Sequence, residues 1–245
     1  MSVKKFIQII ILFSLYTTSF AYGQNKKPDK TETTDHIFES KYLEILKKAA
    51  KQDYFSVKFK QEIYSALREK ISPSDGILFI KKPTSFRFEI ISPRQEIYVS
   101  NGKNFWKYIP ELKHAQHLQA NSNELGFVQL LTNLANIKKF YNVSQWKKPE
   151  AKQTNEDINT PYVKSDTPPL QNDDDIHLRL IPKGDKQQKV IYAVIQVKTG
   201  FIQELRIVQS NGNRTRLLFH EYSPKILNES VFEFKPPQGI VVDKL

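Results

Sequence analysis

From Tyr54 onward the chain alternates, with Phe55, Val57 and Phe59 apolar and Ser56, Lys58 and Lys60 polar between them. A period of two marks a strand with one buried face. Further strands are expected over Gly76 to Lys81, Phe86 to Ile91, Glu96 to Ser100, Asn104 to Tyr108 and Ala115 to Leu118. The breaks between them carry turn residues: Ser72-Pro73-Ser74-Asp75-Gly76, Lys82-Pro83, Ser92-Pro93 and Asn101-Gly102. Asn-Gly is the preferred pair of a type I′ hairpin, so the strands on either side of it should pair antiparallel. The pattern resumes with Tyr141 to Trp146, Ile176 to Ile181, Lys189 to Val197, Ile202 to Gln209 and Arg214 to Tyr222, with turns at Lys198-Thr199-Gly200 and Asn211-Gly212.

Two segments follow a helical period instead. Phe38, Tyr42, Ile45, Leu46 and Ala49 recur at three- and four-residue spacing, opposite Lys41, Glu44, Lys47 and Lys48, and Asp35 is placed to cap that helix. From Glu124 to Leu134 the stripe is Leu125, Val128, Leu131 and Leu134, widened by Phe127 and Leu130. A helix so apolar should be buried along most of its length. About eleven strands with a few helices predict one large antiparallel, curved sheet, a mainly β fold covered by helices.

Composition sets the context of this fold. Met1 to Lys5 is a positive start, Phe6 to Ala21 is largely apolar, and Ala21-Tyr22-Gly23 is a small-x-small site, which together read as a signal peptide at residues 1–23. The apolar run, about 13 residues, falls short of the roughly 20 that a membrane-crossing helix needs. The expected product is an exported, periplasmic protein. Losing Lys4 and Lys5 lowers the net charge from +11 to +9. With no dense Lys/Arg block and no nucleic-acid motif, the basic surface is read as a solvated one and no nucleic-acid partner is expected. Cys is absent, which removes disulfides, thiol nucleophiles, thiolate metal sites and an acylated cysteine at the cleavage point. Residues 24–34 are polar and expected to be disordered, residues 35–245 should form a single domain, and the Pro-, Asn- and Asp-rich stretch at about 147–175 reads as a dispensable surface insertion.

Catalytic signatures are missing. None of His36, His114, His117, His177 and His220 lies in an HExxH motif, and no GxSxG, P-loop or GxGxxG occurs. His114 and His117, three apart in a strand, would point to opposite faces and could not share a metal. Asp173, Asp174 and Asp175 read as a solvated acidic run rather than a calcium site. No enzyme activity, catalytic residue, cofactor or metal is expected. What stands out is the stretch FRFEIISPRQEIYVSNGKNFWKY, Phe86 to Tyr108, in which aromatic and β-branched residues crowd three short strands. A curved sheet with helices over its mouth can hold an apolar ligand there.

The run from Gly76 to Leu112, GILFIKKPTSFRFEIISPRQEIYVSNGKNFWKYIPEL, resembles the LolA family of periplasmic lipoprotein carriers. The family pattern is G-x-L-x-hydrophobic-x-[KR]-P-x-x-F-[RN]-W, followed by a Pro, a strand, and a [ST]-[DN]-G-x-x-[LF]-W-x-Y turn and strand. Phe232 to Asp243, FEFKPPQGIVVD, is similar to the family's closing F-x-F-x-P-P-x-G-V-x-V, and Phe59 to Gln61 to its F-x-Q segment. The order of these motifs is the family's, and the likeness covers most of the chain after residue 23.

The resemblance implies a half-barrel, an incomplete β-barrel whose open apolar face is covered by helices and whose apolar cavity holds lipoprotein acyl chains. It implies cargo received from an inner-membrane ABC transporter of the LolCDE type, delivery to an outer-membrane receptor of the LolB type, and a carrier that acts as a monomer. The residues expected to line the cavity are Phe79, Phe86, Phe88, Ile90, Ile97, Val99, Trp106, Leu125, Val128 and Leu131. Where the family commonly has an Arg that bonds the lid helices, this chain has Lys82, whose single ammonium can make part of that contact as a latch. Phe88 stands where Trp is usual, and the family pattern gives no role to the insertion. A half-barrel module that senses lipids or lipoproteins in envelope signalling is the alternative reading.

Overall fold

A computed structural model describes residues 30–118, 126–146, 175–184 and 189–244. The expected signal peptide, most of the polar stretch 24–34, most of the insertion and Leu125 therefore lie outside the described residues. Twelve strands form one sheet in the order β12-β6-β5-β4-β3-β2-β1-β11-β10-β9-β8-β7. They are β1 Tyr54–Ser65, β2 Lys70–Lys81, β3 Ser85–Ser92, β4 Glu96–Asn101, β5 Phe105–Ile109, β6 His114–Leu118, β7 Tyr141–Gln145, β8 Asp175–Pro182, β9 Val190–Gln196, β10 Phe201–Val208, β11 Arg214–Ser223 and β12 Val241–Lys244. The sheet stays open, with β12 and β7 as its edges. Strand β1 shows why the pattern was readable: Phe55, Val57, Phe59 and Gln61 are buried in strict alternation.

One face of the sheet carries the core. Phe59, Leu78, Phe88, Leu180, Ile195 and Leu205 are among its fully buried members, and the ring of Phe59 stacks on that of Phe88 at 4.4 Å between centroids. Three helices complete this layer: α1 Lys30–Ala50, α2 Gly126–Thr132 and α3 Ile137–Phe140, with a 3-10 turn Leu134–Asn136 between the last two. Tyr42, Ile45 and Ala49 of α1 and Val128, Leu130 and Leu131 of α2 are buried in it. The half-barrel expectation holds, mainly β and open rather than closed.

Several local expectations change. Helix α1 begins at Lys30 rather than at an Asp35 cap, because Lys30 to Thr34 contains no Pro or Gly to break it. Ser72 to Asp75 is not a break: β2 runs through it, paired with β1 as Glu62 to Pro73 and Ser74 to Gln61. Pro73 is tolerated there because β3 begins its pairing only at Asp75, which leaves that edge of β2 without a partner strand. The hairpin between β4 and β5 is centred on Gly102-Lys103, with Asn101 N–H donating to Asn104 O. Positive φ falls at Gly102 and not at Lys103, the arrangement of a type II′ turn rather than type I′. The second helix stops at Thr132 and restarts as α3. Asp175 opens β8 instead of closing an acidic loop, and β12 is a strand that alternation did not mark, paired parallel to β6. Every other pair in the sheet is antiparallel.

Gly76 sits at a register shift between β2 and β3, where a Cβ would lie 1.9 Å from Glu89 O and 2.6 Å from the Phe59 ring. A backbone carbonyl cannot swing away, so Gly76→Ala must shift β3 and the Phe59–Phe88 stack. A loss of about 1–3 kcal/mol is expected, measured as a lowered urea midpoint.

Candidate acyl-chain cavity and its helical cover

Which predicted residues meet is decided by pairing register. Phe88 pairs with Leu78 on one side and Tyr98 on the other, and Ser100 pairs with Phe105. Paired residues share a face, so Leu78, Ile80, Phe86, Phe88, Ile90, Tyr98 and Phe105 belong to the helix-covered side. Phe88 is buried there, and Phe86 and Ile90 pack against the core with part of their surface open. Val128 and Leu131 of α2 face the same core.

Phe79, Ile97, Val99 and Trp106 do not join them. Arg87 pairs with Phe79 and Val99, and Val99 pairs with Trp106, which puts this row on the outer face. Ile97 and Val99 are nonetheless buried. Here the chain's last segment passes: the 3-10 turn Glu229–Phe232 contacts β3 and β4, and Phe234 meets Trp106 at 5.5 Å and Tyr108 at 5.3 Å. Asn101 donates to Glu233 at 3.2 Å, and Lys81 bonds Glu229. In β4 both faces are therefore apolar, and alternation could not tell lining from exterior. The missed lining residues, Tyr98 and Phe105, each lie one position from a residue that was chosen.

Lys82 follows directly on β2, and its ammonium donates to the carbonyl of Ala49, in the last turn of α1. Its backbone N–H donates to Asp53 O at 2.8 Å. The end of a helix gathers unpaired carbonyls and a partial negative charge, so a cation is favoured there. Leu131, Leu134 and Phe55 crowd the same spot, leaving a space of only about 10 Å³. Burial pushes the Lys82 pKa below its ordinary value, with Asp53 acting in the opposite sense.

Other bonds fasten the same end of α1. Lys48 donates to Val197 O at 2.8 Å, Gln52 donates to Thr199 O at 2.9 Å, and the Tyr222 hydroxyl donates to Gln52 Oε1 at 2.5 Å. Gly200 lets the helix approach, since a Cβ there would lie 2.8 Å from that of Lys48. Further along α1 the contacts are of another kind. Tyr42 is 1% exposed and stacks on Phe38, but its hydroxyl makes no hydrogen bond, and burial first and Glu39 second push its pKa up to about 12.

At the opposite end of the sheet the core face opens into a cleft of about 550 Å³, between β2 and the β3–β4 turn. Of the histidines, His114 bonds Asp243 at 2.8 Å, His117 stacks on Trp106, and burial pushes the pKa of His177 down. Among the described residues no cluster of three His, Cys, Asp or Glu could hold a metal, and no helix is long and apolar enough to cross a membrane.

The chain is similar in sequence to outer-membrane lipoprotein carriers. The family model for "Outer membrane lipoprotein carrier protein LolA" matches residues 50–161. An outer-membrane lipoprotein carrier protein from Photobacterium profundum is 27% identical over 191 residues, covering 77% of this chain and 82% of that one. One from Yersinia pestis bv. Antiqua (strain Angola) is 22% identical over 202 residues, covering 82% and 86%. A LolA superfamily protein from Nitrosomonas europaea superposes with a TM-score of 0.41 at 14% identity, over 78% of this chain and 96% of that chain.

The Lys82 site yields a signed pH effect. Because the fold lowers the affinity of this amine for its proton, the unfolded chain binds the proton more tightly. Stability from this group then rises with pH from the lowered pKa up to the ordinary value of 10.5. In urea titrations, wild type should gain on Lys82→Met across that interval; a constant or shrinking difference would place the ammonium in water.

Proposed function

We propose that the chain is a member of the LolA family of outer membrane lipoprotein carrier proteins, which it resembles in sequence, and that it is a periplasmic carrier holding the acyl chains of lipoproteins on the helix-covered face of its open sheet. The supporting observation is the cover itself: α1 and α2 bury their apolar stripes on a face that the sheet, left open, cannot bury alone. Lipoproteins leave the inner membrane through an ABC transporter of the LolCDE type, ride in this cavity, and pass to a LolB-type receptor. The carrier makes and breaks no bond.

Each acyl methylene removed from water contributes about 0.8 kcal/mol, so free lipoproteins cross an aqueous space too slowly. An apolar cavity with few polar anchors binds such chains and can release them to another apolar site. The empty carrier keeps its cavity out of water by lowering α1 and α2 onto it. Lys82 is the latch, holding the end of α1 through the Ala49 carbonyl. Loading lifts the helices and exchanges their side chains for acyl chains. Phe86, Phe88 and Ile90 on the sheet and Val128 and Leu131 on α2 are the lining residues of the proposed cavity.

Incubation of the purified protein with inner-membrane vesicles carrying the transporter should release a diacylated lipoprotein as a soluble complex. Binding to a membrane regulator without any such complex would instead favour the sensing module. The latch predicts a second outcome: Lys82→Ala removes a charge-assisted hydrogen bond of the closed form, and an acyl-chain probe should bind about tenfold to a hundredfold more tightly. Unchanged or weaker binding would remove the latch role.

A further inference from the structure

The two ends of the core face have different chemistry. At the Lys82 end the space is small, apolar and closed by the lysine. At the other end β1 and β2 outrun β3: their pairing continues from Gln61 with Ser74 to Ser65 with Lys70, whereas β3 ends at Ser92, opposite Asp75. The overhang leaves a notch, and the cleft of about 550 Å³ occupies it. Phe88, Ile90 and Ile63 give the cleft an apolar wall, while Gln61, Ser74 and Glu96 give it a polar rim.

Gln61 is the residue that does not fit an apolar cavity. It follows Phe55, Val57 and Phe59 on the buried face of β1 and is only 8% exposed. Its Oε1 accepts from Ser74 Oγ at 3.0 Å, which leaves the amide N–H groups to the cleft. Glu96 is already occupied, accepting from Arg94 at 2.7 Å and from the Tyr98 hydroxyl at 3.1 Å. The rim thus presents a neutral donor beside an apolar wall, with its charges paired among themselves. A donor that meets water in the cleft loses that partner when hydrocarbon fills it, unless the ligand supplies an acceptor. The acceptor that suits this place is uncharged and attached to hydrocarbon.

We infer that the cleft is the subsite for the acyl ester carbonyls of the cargo, with Gln61 donating to a carbonyl where a fatty chain joins its glycerol. This rests on the carrier reading and adds a direction to it. The glyceryl end of the lipid sits between the β2 overhang and the β3–β4 turn, and the tails run beneath the helices toward Lys82. Gln61 thereby discriminates acylated lipids from hydrocarbon of equal length.

The test uses dioleoylglycerol and its dioleyl ether analogue, which has the same tails but no carbonyls, each displacing a fluorescent probe from the full chain. Wild type should prefer the ester by about threefold to tenfold, the worth of one net hydrogen bond. Gln61→Leu should bring that ratio to about one. Equal affinities in wild type, or a preference that survives Gln61→Leu, would overturn the subsite and leave the carrier intact. Binding of neither lipid by wild type would overturn the carrier reading and the subsite with it. A readout on unaltered protein keeps the assignment testable if the variant does not fold. A nitroxide at C5 of a bound stearoyl ester should broaden the amide signals of Ile63 and Tyr98, and one at C16 those around Lys82; the reverse pattern overturns the direction.

Discussion

An open sheet with one predominantly apolar face is the constraint from which the other features follow. Closing the barrel would bury that face permanently, and leaving it bare would expose an aggregation surface. The chain instead covers it with helices, at the Ala49 and Gly200 end through many polar bonds and elsewhere through side-chain burial. Tyr42, Ile45, Leu130 and Leu131 are each nearly inaccessible, and a large buried apolar side chain contributes about 1.5–3 kcal/mol. The Lys82 bond to Ala49 is comparable to one such side chain, at about 1.5–3 kcal/mol for a charged donor. In the proposed carrier such a bond would bias the cover without fixing it, whereas a dozen or more acyl methylenes would displace it.

Placement of that cation follows from the backbone. The carbonyls that end α1 need donors, and the lysine after β2 reaches one of them from a site poor in water. Desolvation works against its charge and the helix end works for it, and the lowered pKa records that desolvation is the larger. An arginine would spread its charge over more donors and lose less on burial. With lysine there, the proposed latch is a weaker hold on the end of α1 than an arginine would be.

Much of the fold was legible because burial on one face writes a period of two and burial of one stripe writes a period near four. Strands β1, β3 and β8 to β11, and the stripes of α1 and α2, were readable on that ground. Two kinds of feature were not. Strand β12 is held by pairing to β6 while its four residues remain exposed, so no hydrophobic pattern betrays it. The division of β4 into faces was hidden because Ile97 and Val99 are buried as well as Tyr98 and Ser100. Their cover, Phe232 and Phe234, lies more than a hundred residues away. Local sequence cannot carry parity across turns whose length is unknown, and a slip of one residue moved Phe79, Ile97, Val99 and Trp106 from lining to exterior.

The outer cover holds the sheet from the side opposite the helices. Trp106 is held between His117 and Phe234, and Arg216 joins Glu204 at 2.9 Å on the outer side of β10 and β11. These contacts stiffen the sheet from behind and ask nothing of the helices. In the proposed carrier, rigidity behind and a displaceable layer in front would let one surface alternate between two apolar partners, its own helices and a lipid. Gln61 is the polar exception on that surface, buried in line with Phe55, Val57 and Phe59 and bonded to Ser74.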